Sequence, residues 1–378
     1  MYIYIFLALF ILFQQFIYNS YTGKITRLNF GERVFIINGS IVENILILIN
    51  SVVFAMLFFL RSERVGTDYI SYLYLSDVLS TMSFEDTWEF AQNTNMESFF
   101  VFVTKVIENI FSDSYIVMLV WYILFLIFLV YFIKKESPNI LLSFWIFYSW
   151  GMFNQSLNIM RQYLAVGILL VGVVYLSKKN IHFFLIAIVL AFFLHHSAVV
   201  AVLLYIAYLF RKNARMFSLS IVFGSVLLFL YMNNLMSILG TVLGGVFDKY
   251  TGYDNFDGSS GIGLVVNSII FLFYYIFYDK VSKDLDSAYI WLCSASLVLG
   301  MNIISMGNPV MSRLVIYFKI MLVASIPCYF NYLFKGKREK FIALNIVAII
   351  SGIYYISLMY ATNLYETIPY IIRNNFFI

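Results

Sequence analysis

Arg61, Glu63, Arg64 and Asp68 fall within LRSERVGTDYISY, residues 60–72, directly after twenty-odd apolar residues. Guanidinium groups beside carboxylates can hold an anion and a sugar together: arginine grips phosphate oxygens through paired N–H groups, and a carboxylate accepts hydroxyl protons. Gly66 permits a tight turn that sets Arg64 and Asp68 on one rim. Taken alone, the same residues also read as an exposed ion pair at a helix end, which is worth little.

Three further blocks carry groups of the same kind. In NIMRQYLAVGILLVG, Arg161 enters an apolar run one turn after Asn158, with a small-residue face at Ala165, Gly167 and Gly172. A snorkelling arginine at a helix end accounts for it. However, Gln155, Asn158, Arg161 and Gln162 cluster where the helix begins and suit a wet cavity wall better than lipid. In FFLIAIVLAFFLHHSAVVAVLLYIAYLF, apolar arms of about 14 and 13 residues flank His195, His196 and Ser197. At ~1.5 Å per residue each arm reaches about 20 Å of a hydrocarbon core about 30 Å thick. If both arms start from one side, the histidines lie below the opposite surface, in protein or in a water-filled cavity. A hairpin lengthened by its flanks would leave them at the interface instead. In NPVMSRLVIYFKIMLVASIP, Arg313 begins a span and Tyr317 follows one turn below on the same face, with a snorkelling anchor again the alternative.

Four chain regions thus deliver Arg64, Asp68, Arg161, His195 and Arg313 to one side at a similar depth. Together they describe a cationic vestibule with a base in it. A lipid-linked diphosphate is the natural ligand for such arginines. Histidine, with an unperturbed pKa of about 6.5, suits proton abstraction from an acceptor hydroxyl. His195 is the first candidate for that base and Asp68 the second. The 30 tyrosines and 5 tryptophans can stack on sugar rings, although aromatic belts at a membrane interface explain many of them equally well. No pair of acids at a common depth suggests a two-carboxylate glycosidase mechanism, and no ligand spacing argues for a metal.

The elements that must position these groups follow from composition. Of 378 residues, 62% are hydrophobic and 12% charged, half the charged fraction of about 25% usual in soluble domains, so the chain reads as an integral membrane protein. Apolar segments fall at 1–19, 41–60, 115–133, 139–153, 160–177, 181–194, 198–210, 217–235, 262–278, 288–304, 314–334 and 341–360. The expected fold is therefore all-α and polytopic, a single transmembrane domain over 1–378 with about 12 transmembrane helices. The first segment lacks a signal peptide's basic flank and small-residue cleavage site and reads as a retained span. With the N-terminus outside, the cytoplasmic intervals hold 16 of the 24 basic residues and the outer ones 7, with Lys319 inside a span, as the positive-inside rule requires. The longest polar interval, 61–114, is expected to be an extracytoplasmic loop subdomain, and 236–261 a second extracytoplasmic loop. Nine acids, among them Asp68 and Glu97, crowd the first. Cys293 and Cys328 lie in apolar segments and support neither a disulfide nor a thiolate site.

Read in order, RSERVGTDYISY, NIMRQYLAVGILLVGVVYLSKK and FLHHSAVVAVL, with SRLVIYFKI as a weaker fourth block, resemble the EpsG family, a group related to the Wzy polymerases of bacterial polysaccharide synthesis. The likeness covers mainly residues 45–205, with an echo at 305–327. Segments 217–290 and beyond 330 carry no motif of it. The resemblance implies a membrane glycosyltransferase (GT-C-like) architecture in the bacterial plasma membrane, with the site facing the periplasm or exterior. It implies an enzyme that joins undecaprenyl-diphosphate-linked oligosaccharide repeat units into capsule, O-antigen or exopolysaccharide. The resemblance carries over Arg64, Asp68, Arg161, His195, Ser197, Arg313 and Tyr317. In the mechanism expected from the residues, Arg64, Arg161 and Arg313 would hold the diphosphate, His195 and Asp68 would do the chemistry, and Tyr69, Gln162, Tyr317 and Ser197 would contact sugar. No cofactor, metal or nucleic acid enters this scheme, because the diphosphate already activates the anomeric carbon. The lipid bilayer, a flippase and a chain-length regulator would be partners. Competing readings are a flippase for the same lipid-linked oligosaccharide, a ligase transferring finished glycan, and an acyltransferase acting on sugars, whose cytoplasmic donor site sits poorly with an outward His195.

Overall fold

The structure, a computed structural model, describes residues 2–21, 26–30, 33–37, 39–231, 261–307, 309–363 and 366–373. Nearly all of the expected second loop, 236–261, lies outside the described residues. Among the described residues each of the twelve apolar segments is built mainly of helix, as backbone that cannot hydrogen-bond to lipid must be. In chain order the helices are α1 (Tyr2–Tyr21), α2 (Gly39–Leu60), α3 (Tyr69–Ser80), α4 (Phe84–Asn93), α5 (Ser98–Phe111), α6 (Ser114–Glu136), α7 (Ile140–Ser149), α8 (Met152–Asn158), α9 (Met160–Ser177), α10 (Ile181–Leu194) and α11 (Val202–Leu209). They continue as α12 (Ala214–Leu230), α13 (Gly261–Val281), α14 (Ala288–Ser305), α15 (Ile316–Lys319), α16 (Leu322–Leu333) and α17 (Lys337–Thr362). An antiparallel hairpin of β1 (Thr26–Phe30) and β2 (Arg33–Ile37) lies between α1 and α2.

The expected dozen spans divides by length. Among the described residues seven helices are long and apolar enough to cross a membrane, and Met311–Lys319, a 3₁₀ turn running into α15, with α16, bent by 43°, makes an eighth if the pair counts as one. The stretches Tyr2–Gln15, Ile140–Ser149, Ile181–Leu194 and His196–Leu209 are apolar but shorter. The chain is therefore a multi-pass helical membrane protein in which several segments stop short. The interval 61–114 holds α3, α4 and α5.

α9 is the central post. Gly167 lets it meet α6, since a Cβ there would stand 3.0 Å from the Phe128 ring, and Gly172 lets it meet α10, where a Cβ would stand 2.6 Å from that of Ala187. Close approach at small residues is how helices associate without a hydrophobic driving force between them. Where α6 and α9 meet at one end, Ser177 donates to Glu136, and Lys134, Lys135, Lys178 and Lys179 gather there. The opposite end, where α6 begins and α9 begins, carries the polar blocks.

Candidate active site

Two breaks in the chain build the floor of this end. Gly151 (φ +72°) ends α7 and starts α8, and Ile159 (ψ 61°) separates α8 from α9. α8 thereby exposes its last carbonyls to partners other than its own backbone. The Arg61 guanidinium takes one of them: Nη1 donates to the Leu157 carbonyl and also, at 3.3 Å, to the carbonyl of Val65 in the turn that follows α2. Arg61 is wholly buried, with its guanidinium 4.2 Å from the Phe58 ring centroid and 3.5 Å from that of Tyr69.

Above it the turn 65–68 is pinned by Asn158. The Asn158 Oδ1 accepts from the Asp68 backbone N–H at 2.7 Å, and its Nδ2 donates to Thr67 Oγ1 at 3.0 Å. Gly66 occupies φ +95° and lies so close to Asn158 that a Cβ would sit 3.1 Å from Oδ1. The expected tight turn is present, and its glycine is required by conformation and by space. The chain's far end closes the frame. Backbone N–H groups of Ser62 and Gly66 donate to the carbonyls of Ile371 and Glu366, and that of Arg373 to Leu60. Tyr370 donates to the Leu57 carbonyl at 2.6 Å. This tail carries no motif, so the sequence offered no sign that it braces the turn.

The reactive groups meet at the N-terminus of α9. Glu97 is the N-cap residue of α5 but makes no capping bond to its own helix. One carboxylate oxygen instead accepts from Arg161 Nη1 and the other from His195 Nδ1 at 2.8 Å and the His196 backbone N–H at 3.2 Å. Side-chain exposures of 7% for Glu97, 17% for Arg161 and 27% for His195 order the three from the protein interior towards its surface. Burial alone would raise the Glu97 pKa. The His195 hydrogen bond and the Arg161 charge outweigh it and bring the carboxyl down to about 2. An ionised carboxylate only accepts, so Nδ1 is the donor of this pair and carries a proton, which leaves Nε2 as the nitrogen turned away from Glu97.

His195 can stand there because α10 ends one residue earlier and the chain turns extended (φ −160°, ψ 114°) before a 3₁₀ turn over His196–Ala201. That turn brings the Ser197 hydroxyl within 2.9 Å of the Tyr317 hydroxyl on α15. Gln162, one residue beyond Arg161, donates through Nε2 to the Arg313 carbonyl at 2.6 Å. The Arg161 guanidinium lies 5.7 Å from the Tyr72 ring centroid and 5.8 Å from that of Phe100, and the Asp68 charge also acts on it. Its Nε–H is buried without an acceptor.

The structure therefore brings together Asp68, Arg161, Gln162, His195, Ser197 and Tyr317, and ties Arg313 to them through its backbone. Arg64 and Arg313 present exposed side chains. Tyr69 does not join the group: it is wholly buried and its ring faces Arg61. Two acids, Glu97 and Asp68, bear on one guanidinium, although no such pair was evident from spacing. Glu97 is the residue that sequence reasoning passed over. The one local sign was a glutamate at a helix start, a poor N-cap beside the usual Ser, Thr, Asp or Asn. Among the described residues no three His, Cys, Asp or Glu side chains converge as metal ligands would.

The model of the EpsG family matches residues 44–372, which is most of the chain and includes every residue of this site. No curated protein and no solved structure matches the chain significantly.

Proposed function

Since the chain belongs to the EpsG family, whose role is polysaccharide-polymerase-like, we propose that it is a membrane glycosyltransferase that polymerises undecaprenyl-diphosphate-linked oligosaccharide repeat units at the outer face of the plasma membrane. The observation that carries this reading is the Glu97 carboxylate shared between His195 Nδ1 and Arg161. It holds an imidazole by Nδ1, so that in its neutral form Nε2 is the basic nitrogen, beside a cation suited to phosphate.

In the reaction, a sugar hydroxyl of the incoming repeat unit attacks the anomeric carbon of the growing chain. The new glycosidic C–O bond forms as the bond from that carbon to the diphosphate breaks, and undecaprenyl diphosphate leaves. His195 Nε2 takes the hydroxyl proton, and Glu97 stabilises the imidazolium that results. Arg161, with Arg313 on the exposed side, meets the negative charge that grows on the leaving group, and Arg64 guides the diphosphate in. A phosphoryl oxygen at the guanidinium edge would supply the acceptor that Arg161 Nε–H lacks. Asp68, Gln162, Ser197 and Tyr317 supply hydroxyl, amide and carboxylate partners for sugar.

The test is the purified protein in nanodiscs with a synthetic undecaprenyl-diphosphate repeat unit and no nucleotide sugar. A ladder of repeat-unit multiples that disappears with His195→Ala and with Arg161→Ala is the expected result. Absence of a ladder, with movement of the same substrate between the leaflets of a proteoliposome, would replace the polymerase with a transporter.

A further inference from the structure

Helix α5 is built inside out for a helix in a polar loop. Its inward face carries Thr104, Lys105 and Glu108, all buried. Lys105 Nζ donates to the Leu79 carbonyl at 2.8 Å, at the end of α3, and Thr104 Oγ1 accepts from Trp121 Nε1 on α6 at 3.1 Å. Its outward face carries Phe99, Phe102, Val106 and Ile110, at i, i+3, i+7 and i+11, each exposed. Neighbouring α4 has a mixed exterior: Glu85, Asp86, Glu89, Gln92 and Asn93 turn outward, and Phe84 and Trp88 are exposed too, with the Phe84 ring 5.8 Å from Phe102. The apolar edge of α5 continues onto α10. The Phe99 ring lies 6.4 Å from Phe193, and Phe193 belongs to the exposed apolar side of α10, with Ile186 and Val189. In a multi-pass membrane protein that side of α10 faces acyl chains.

We propose that α5 lies in the bilayer, its Phe99–Phe102–Val106–Ile110 edge packed against acyl chains as a continuation of the lipid face of α10, while the Glu89 side of α4 stays in water. At 14 residues α5 is about 21 Å long, too short to cross a core of about 30 Å, so it lies along the interface with that edge sunk about 5–10 Å into the headgroup and acyl boundary. The helix that presents Glu97 to Arg161 and His195 is then held by lipid on one side and protein on the other. This placement rests on the membrane character of the chain and not on the polymerase reading, so either can fail without the other.

The experiment uses the full chain in nanodiscs with single spin-labelled cysteines at Phe102→Cys, Val106→Cys or Ile110→Cys, on a background of Cys293→Ala and Cys328→Ala. Ile127→Cys on the exposed side of α6 serves as lipid reference and Glu89→Cys on α4 as water reference. Relaxation by oxygen exceeding that by a water-soluble nickel chelate at all three α5 sites, as at residue 127 and reversed at residue 89, is the expected result. Nickel exceeding oxygen would put α5 in water and overturn the proposal. Low accessibility to both, with dipolar broadening between labels, would show a second copy covering the face and overturn it equally.

Discussion

Arg61 and Arg161 are the same side chain at the same end of the bundle, each beside aromatic rings, yet they do opposite things. Arg61 closes the α2 span, gives its hydrogen bonds to backbone carbonyls and is wholly buried between Phe58 and Tyr69. Nothing diffusible can reach it. Arg161 opens the α9 span, gives its hydrogen bond to a carboxylate and retains 17% exposure. A carboxylate partner can be exchanged for a phosphate, whereas a carbonyl that terminates a helix cannot be released without unfolding that end. The nature and mobility of the partner, more than the arginine, separate a fastener from a ligand site.

The contrast breaks most forcibly at the fastener. Arg61→Ala leaves the Leu157 and Val65 carbonyls without a donor and a cavity between two rings, and should cost about 2–4 kcal/mol of stability. A lower thermal midpoint in detergent, with less folded protein recovered, checks it, and an unchanged midpoint would remove Arg61 from the frame. Glu97→Gln tests the shared carboxylate. Its folded pKa of about 2 lies below the usual 4.5, so its contribution is fully present above about pH 4.5 and is lost as pH falls towards 2. That contribution is at most about 3 kcal/mol. The wild type should therefore exceed the variant in stability at neutral pH, and the gap should close on acidification across this window. Parallel curves down to pH 2 would contradict the ion pairing.

Arg161→Lys keeps the charge but loses the planar fork, and repeat-unit polymerisation should fall by roughly a hundredfold while the thermal midpoint holds. Wild-type product ladders from this variant would end its assignment to the leaving group. The smallest effect belongs to Arg64, whose side chain is exposed. Arg64→Gln should alter stability by less than about 0.5 kcal/mol and raise KM more than it lowers kcat, as loss of a steering charge does. Initial-rate kinetics with the lipid-linked repeat unit separate the two constants.

Several features of the site were legible in advance because they are local. Gly66 at a turn, the polar cluster at the head of α9 and the short arms around His195 each follow from residue type and spacing, and each stands where expected. Tyr69 and Glu97 were not legible. Both lie in a polar stretch where many tyrosines and acids offer the same chemistry, and neighbours distant in sequence turn one ring onto Arg61 and one carboxylate onto His195.

The sequence by itself determined that the chain is a helical membrane protein of this family, and that its apolar stretches are helix, though not the three helices of 61–114. Apolarity over about 20 residues, and the need to satisfy the backbone without water, are properties of short contiguous stretches. Only the tertiary structure decided which of nine acids meets the histidine, which of two arginines is buried, and that the motif-free tail braces the turn. Those choices depend on pairings such as Glu97 with His195, 98 residues apart, and Arg61 with Leu157, 96 apart. No window of sequence contains both partners, so the packing of α9 against α6 and α10 had to bring them together.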